Sequence, residues 1–473
     1  MAKTDQTHSS SRIKTNTEAM DVYVEKAAVK NQFLAALIAC LAAVSVGMCV
    51  GFTSPAEPDM KLPGRRFRLT VAEASLFASL INIGALCGGL IAGFIVDFLG
   101  RKSALIYMAI PNVVGWLCII YAESIGLLYF GRLITGICAG IACLNTPVYM
   151  TEIASPEIRG ILGSGFQLFV NFGITFTYTV GAFVPWSYLA VVTAVIPILL
   201  MALMIPMPES PVWLVRQGRV AEAMHALKWL RGSDVDVREE VENLRDQQNA
   251  DGAISIREFL KPSLYKPLIL LLTQMFIQQF AGINAVVFNA AQIFEMAGSS
   301  MDPKIEAIIV AAVMVMASIV AATLIDKAGR RFLLLLSAAC MAVSLMVLGG
   351  YFYLYAHDKE SAANVSWLPI ICLILYCFVF NIGFGPIPWL MMGELFPSQA
   401  RGLASSLVTA SSWTMAFIIT KTFQDMQDAL QPYGAFWFFG CVCVAAIPFT
   451  WFFVPETKGK SIQEIQMYFN KEI

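Results

Sequence analysis

Charge is scarce in this chain: of 473 residues only 14% are Asp, Glu, Lys or Arg, whereas 58% are hydrophobic. A soluble globular protein carries about a quarter of its residues charged. A large soluble core wrapped in a polar surface is thereby excluded, and a lipid bilayer is the implied solvent. Net charge is -1, and the sequence has no basic tract that would neutralise phosphates, which excludes nucleic acid as a partner. Histidine is nearly absent, with His8, His225 and His357 far apart in polar stretches. The eleven cysteines all fall inside apolar runs and are expected to be small core residues. No Cys/His spacing suits a metal, so neither a metal nor another cofactor is expected. Residues 1–31 lack the apolar core and cleavage pattern of a signal peptide. Gly459-Lys460-Ser461 ends like a phosphate loop, but Val454 fills the first glycine position and a span precedes it, so ATP-driven pumping has no support.

What the chain has in abundance is long apolar runs. Crossing about 30 Å of hydrocarbon at about 1.5 Å per residue takes roughly 20 residues. Twelve such runs are read at 33–53, 73–97, 103–122, 126–149, 161–181, 187–206, 266–294, 305–326, 332–355, 367–392, 403–424 and 434–454. The fold class is therefore all-α integral membrane. The one long polar segment, from Glu209 to Lys266, shows helical patterns at 218–231 and 235–248, with Ser233 and Asp234 as the cap between them. This divides the chain into a tail (1–31), a six-helix bundle (32–208), a helical linker (209–265), a second six-helix bundle (266–455) and a C-terminal tail (456–473).

Basic residues concentrate at Arg101 and Lys102, Arg159, the linker, Lys327 with Arg330 and Arg331, Arg401, and Lys458 with Lys460. The excess of positive charge places these loops and both termini in the cytosol. Lys61, Arg65, Arg66 and Arg68 break the rule in the first outer loop. A weak internal repeat sets the architecture. Asp97-Phe98-Leu99-Gly100-Arg101-Lys102 is echoed by Asp326-Lys327-Ala328-Gly329-Arg330-Arg331. Glu152 with Arg159-Gly160 is echoed by Glu394 with Arg401-Gly402, and Pro208-Glu209-Ser210 by Pro455-Glu456-Thr457. Three echoes in one order on one membrane side imply a parallel repeat of two six-span halves.

Ionisable residues are missing from the middle of every predicted span, with Arg132 near the start of the fourth and Lys421 near the end of the eleventh. Such groups mark ion and proton pathways, so the expected solute is neutral and its passage passive. The spans hold carboxamides instead: Gln167, Gln278, Gln279, Asn284, Asn289 and Asn381. An amide donates and accepts without charge, which suits a ligand whose every hydroxyl does both. Amides also tie helices together in membranes; for the cluster Gln278-Gln279 with Asn284 around Gly282, a binding site is the favoured reading. Gly282 interrupts the seventh span, and Gly383, Gly385, Pro386 and Pro388 interrupt the tenth, where carriers bind and hinge. Trp389 and Trp413 offer flat apolar faces for the C–H side of a sugar ring, or serve as plain packing. The loop charges Arg101, Arg132, Glu152, Arg159 and Glu209, with Asp326, Arg330, Arg331, Glu394 and Arg401, form either a cytosolic ion-pair gate between the bundles or topology determinants alone.

Taken together, Gly131-Arg132, the echoes above, Gln278-Gln279-Phe280-Ala281-Gly282-Ile283-Asn284-Ala285, Gly383-Phe384-Gly385-Pro386-Ile387-Pro388-Trp389 and Pro455-Glu456-Thr457-Lys458-Gly459 resemble the sugar porter family of the major facilitator superfamily over almost the whole chain. The resemblance implies facilitative hexose transport, with Gln167, Gln278, Gln279, Asn284 and Trp389 on the sugar path and the charged motifs at the inner gate. Within the family, Gly51-Phe52-Thr53-Ser54-Pro55-Ala56 resembles animal class III glucose transporters and arthropod trehalose carriers. The only sequon, Asn364-Val365-Ser366, falls in the outer loop where that class carries its glycan. Met314 and Ala416 stand where glucose carriers of the family place asparagines, and Asn381 where they have a glutamate. Cys49 replaces the first-span aspartate of proton-coupled relatives, which favours uniport.

The expected function is a uniporter of a neutral sugar, a hexose such as glucose, working as a monomer by alternating access in a plasma membrane or endomembrane. A trehalose or polyol facilitator, a proton symporter and a non-transporting sugar sensor are the alternatives. No paired carboxylate or nucleophile–base set in the spans supports an enzyme.

Overall fold

The computed structural model describes residues 29–62, 69–155, 158–233, 235–250, 261–298, 301–396, 398–460 and 462–470. Arg65, Arg66, Arg68 and Asp234 lie outside the described residues, as do the side chains of Asp326 and Arg401.

The apolar runs become helices because only a helix satisfies its own backbone in hydrocarbon. The first six spans are Val29–Lys61, Val71–Leu99, Arg101–Ile120, Ile125–Ile153, Arg159–Phe183 and Trp186–Met204. The seventh is built from three consecutive pieces, Pro262–Phe280, Ile283–Phe288 and Ala290–Ala297, followed by Pro303–Ala328 and Arg330–His357 as the eighth and ninth. The tenth comprises Leu368–Ile382 and Ile387–Leu395. The last two are one continuous run, Ser398–Phe453, divided at Gln431 (φ 61°, ψ 162°). The divider is residue 431 because Pro432 follows it, and proline drives the preceding residue out of the helical region. The result is the expected twelve-helix architecture. Thr70 opens the second span with a capping box: its hydroxyl accepts from Glu73 N–H while the Glu73 carboxylate accepts from Thr70 N–H.

The linker folds as Pro211–Arg216, Val220–Arg231 and Arg238–Ala250; the first of these was not foreseen. It docks on the first half, with Trp213 Nε1 donating to Asp97 O at 2.8 Å and Arg231 Nη1 to Ile153 O at 2.8 Å. Asn31 Nδ2 donates to Trp229 O and Gln32 Oε1 accepts from Ser155 N–H, so the start of the first span is tied to the same end. This end is called the linker face below.

Inside the first half, the second and fourth spans approach until backbones touch. A Cβ placed on Gly84 would meet Gly136 Cα at 2.8 Å and Ile137 N at 2.8 Å, and one on Gly136 would meet Ile81 O at 2.5 Å. Small residues four apart on both helices permit this, as in other membrane helix pairs. Cysteines fill mostly buried positions, but Cys87 and Cys441 are exposed and so correct the expectation of core placement for those two; each lies on an outward helix face, where a small apolar side chain suits lipid.

The halves meet through the second and eleventh spans and through the fifth and eighth. Away from the linker the seam is closed: Ala291 N–H donates to Ser54 Oγ at 3.3 Å, Ser75 Oγ to Lys421 O at 3.0 Å, and Tyr178 hydroxyl to Val287 O. Toward the linker it loosens. Residues 165–170 of the fifth span are all partly exposed, and a Cβ added at Gly165, Gly393 or Gly402 meets nothing within 4 Å.

Gly136→Leu should keep the second and fourth spans apart, a misfit costing about 1–3 kcal/mol or more. Size-exclusion yield and thermal unfolding in detergent should both fall, while Gly93→Ala, where an added Cβ has open space, should match the parent.

Candidate functional site

The site begins at two breaks. Gly282 sits in the left-handed region (φ 89°) between the first two pieces of the seventh span, and a Cβ there would strike the Phe439 ring at 2.6 Å; only glycine fits both constraints. In the tenth span the Phe384 carbonyl would normally accept from the N–H four residues on, but that residue is Pro388, which has none. Gln278 supplies the missing donor: its Nε2 gives 2.6 Å to Phe384 O and 3.0 Å to Gly385 O.

From that contact a row of amides runs back through the second half. Gln278 Oε1 accepts from Gln279 Nε2 at 3.3 Å, which also donates to Ser412 Oγ at 3.0 Å; Gln279 Oε1 accepts from Asn284 Nδ2 at 2.6 Å. Gln278 and Gln279 are buried, at 3% and 6% exposure. Gln278 and Gln279 each give and take, and no member of the row is charged. Trp389 follows the tenth-span break and packs partly buried on the second-half core, and Trp413 stands half-buried one residue beyond Ser412.

A second polar group crosses the seam. Gln167 Nε2 donates to Asn171 Oδ1 at 3.2 Å, and Asn171 Nδ2 reaches Asn381 Oδ1 at 2.7 Å, Ser318 Oγ at 2.7 Å and Met314 O at 3.3 Å. Asn381 precedes Phe384 by three residues, so this group and the Gln278 row flank the same tenth-span break. Asn289 does not belong to this centre. It bonds back to Ala285 O and lines a small cleft of about 20 Å³ on the closed side, with Glu57, Ser75, Gln292 and Gln424. Sequence reasoning missed Asn171, Ser318 and Ser412. Only Asn171, four residues after Gln167 and so on its helix face, left a readable signal.

The gate charges form two matched sets, one in each half. Arg101 Nε pairs with Glu152 Oε2 at 2.9 Å, and Arg330 Nη2 with Glu394 Oε1 at 2.9 Å. Glu209 Oε1 accepts from Arg101 N–H and Lys102 N–H at 2.9 Å each, capping the third span. Glu456 accepts from Arg330 and Arg331 N–H at 3.0 and 3.1 Å, capping the ninth. Ser210 hydroxyl donates to Glu152, and Thr457 hydroxyl to Glu394. Burial by itself raises the Glu456 carboxyl, but N–H donors from Lys458, Arg330 and Arg331 and the Arg330 charge together hold it below the ordinary carboxylate range. These pairs lie within each half, not between halves as a gate was expected to show in its closed state. Arg331 lies over the Trp451 ring, 5.2 Å from its centroid. Arg159 is exposed at the start of the fifth span.

Arg132 departs from the expected gate. It lies near the far end of the fourth span, fully buried, with Nη1 donating to Cys49 O at 2.7 Å, Nη2 to Thr53 Oγ1 at 2.5 Å, and its guanidinium 5.1 Å from the Phe77 ring centroid. Its place is fixed by sequence direction: the fourth span enters from the side opposite the linker, so its early residues cannot reach the linker face. Asn364 is exposed beyond the short helix Lys359–Ala363, in the loop between the ninth and tenth spans.

Comparison with known proteins bears on this arrangement. Residues 17–469 match the model of the family described as sugar (and other) transporter. The facilitated trehalose transporter Tret1 of Bombyx mori is 40% identical over 439 residues, covering 92% of this chain and 86% of the relative. A Tret1-2 homolog of Drosophila sechellia, likewise described as a facilitated trehalose transporter, is 42% identical over 441 residues, covering 92% and 90%. Tret1 of Drosophila mojavensis is 42% identical over 440 residues, of which this chain spans only 51% of the relative's length. Among solved structures, the proton:xylose symporter XylE bound to 6-bromo-6-deoxy-D-glucose superposes with a TM-score of 0.79 at 23% identity, covering 93% of this chain and 99% of that one; at that identity the likeness speaks for the fold. With the two-break architecture and near full-length matches agreeing, the chain belongs to the sugar transporter family, among the sugar porters of the major facilitator superfamily.

Proposed function

We propose that this protein carries a neutral sugar down its own gradient by alternating access, and that the sugar is trehalose in preference to glucose. The observation that carries the reading is the row Asn284–Gln279–Gln278, whose every polar atom is uncharged and exchangeable with a sugar hydroxyl. Trehalose takes the place of the hexose first expected because the named relatives are facilitated trehalose transporters. Arg132 supports uniport: its partners are the Cys49 carbonyl and thiol, the Thr53 hydroxyl and aromatic faces, no carboxylate pairs with it among the described residues, and a guanidinium does not give up its proton. The substrate-side groups are Gln167, Gln278, Gln279, Asn284, Asn381, Trp389 and Trp413.

In this reading the linker face and both termini are cytosolic, Asn364 is an outer glycan site, and one chain is the working unit. The closed far side with a loosened linker side corresponds to a carrier open to the cytosol. The two arginine–glutamate sets brace each half so that it moves as a body, and face one another across the cleft when the inside shuts. Arg101 and Arg330 are buried, so removing either glutamate partner would leave an uncompensated charge, and the brace acts through the set as a whole.

Gln278→Ala should raise the trehalose concentration for half-maximal uptake about tenfold or abolish uptake in proteoliposomes, because it strands the Phe384 carbonyl as well as removing a sugar partner. Gln279→Ala should follow it, and undiminished uptake in both removes the site. Across a panel of labelled trehalose, glucose, fructose and polyols, an imposed pH gradient should change no final accumulation; sugar driven above equilibrium by protons makes the protein a symporter. Replacing Arg330 and Arg331 together by Gln should increase maleimide labelling of a single cysteine placed at position 393. Unchanged labelling counts against the brace.

A further inference from the structure

We propose that Asn171 is a specificity-determining residue of the sugar path, the first half's hydrogen-bonding contact for a second sugar ring. The proposal rests on the reading of the chain as a sugar carrier and deepens it.

Asn171 has no exposure and stands where the fifth span of one half meets the eighth and tenth of the other. Its neighbours on the same side of the helix, Val170, Ile174 and Tyr178, close the seam with apolar surface or a single hydroxyl. An apolar residue at 171 would do the same without the cost of burying an amide. Instead two N–H hydrogens serve three acceptors, Asn381 Oδ1, Ser318 Oγ and Met314 O, more than they can serve well at once. Two of those acceptors keep their own separate bonds: Ser318 hydroxyl donates to Met314 O at 2.9 Å, and Asn381 Nδ2 to Cys377 O at 2.8 Å. Parting Asn171 from Asn381 therefore frees donors on one wall and acceptors on the other while leaving each wall internally bonded. A hydroxyl inserted between them can accept from Asn171 and donate to Asn381 at the same moment.

Position supplies the second argument. Asn171 lies one turn beyond Gln167, about 6 Å along the helix axis, and Gln167 already donates to it. The polar lining contributed by the fifth span is thus two amides long. A hexose held by Gln167 and the Gln278 row leaves the second amide unused; a disaccharide, with its second ring a few ångströms further along, engages both.

The test is uptake of labelled trehalose and labelled glucose by the full-length protein in liposomes, comparing parent, Asn171→Leu and Asn171→Ser. Leucine keeps the branched heavy-atom shape at a larger volume and removes every side-chain hydrogen bond. It should raise the trehalose KM about tenfold, the worth of a lost buried hydrogen bond, with the glucose KM moving less than about twofold. Serine, which keeps one donor and one acceptor at shorter reach, should shift trehalose in the same direction by less, and it carries the test alone if the leucine variant fails to fold. Equal change for both sugars makes Asn171 a structural tie between halves and overturns the assignment, as does no change for either. Gln278→Ala in the same preparation separates the underlying reading, because undiminished uptake of both sugars there refutes the carrier site whatever Asn171 does.

Discussion

Hydrocarbon offers no hydrogen bonds, so each polar group that twelve spans carry inward must be answered by another group of the same chain. That obligation organises this molecule. The Phe384 carbonyl, deprived of its helical partner by Pro388, is answered by Gln278; Gln278 is answered by Gln279, and Gln279 by Asn284 and Ser412. The same obligation makes the site workable. The bond of Asn171 to Asn381, by contrast, crosses the seam between the halves, and in the proposed carrier cycle a hydroxylated solute has the chemistry to replace it on both sides.

The repeat works by another electrostatic rule. Gly100 and Gly329 turn the chain at matched positions with φ of 94° and 88°, and in each half a glutamate from the segment after the sixth span, Glu209 or Glu456, caps the helix that starts there. A carboxylate at a helix N-terminus meets unpaired N–H groups and the positive end of the dipole. An arginine from the same turn then reaches a second glutamate on the fourth or tenth span. Each half thereby welds its linker-side ends into one block. Each ring of contacts closes within a half and does not tie the halves to each other, as the proposed rocking of one block on the other requires.

Much of this was legible in the sequence. Apolar length gave the spans, and the three echoes gave the two halves, because both depend on composition and spacing alone. The Gln278-Gln279-Asn284 cluster was legible because an amide beside a helix-breaking glycine inside an apolar run has few cheap explanations. Three things were not. The third piece of the seventh span begins at Asn289, where no glycine or proline announces a break. Arg132 matches the gate residues in charge, but it stands near the start of the fourth span, whose other end, with Glu152, carries the gate. Asn171 carries one signal in the sequence, its place four residues after Gln167, but that does not reveal its role: its partners Ser318 and Asn381 are 147 and 210 residues away, and only the folded chain brings them together.

Arg132 also bears on the source of energy. A buried cation needs compensation, and here it comes from the Cys49 carbonyl, the Thr53 hydroxyl and the faces of Phe52 and Phe77. Aromatic faces and neutral oxygens stabilise a guanidinium without taking part in proton exchange. A carboxylate in the same place would bind and lose a proton according to which side it faced, and would thereby tie the cycle to a pH difference. With neutral partners the charge around Arg132 does not hang on the protonation of a carboxylate, which favours the proposed passage without protons. The uncharged lining and the carboxylate-free arginine are thus two separate features that support the proposed passive passage.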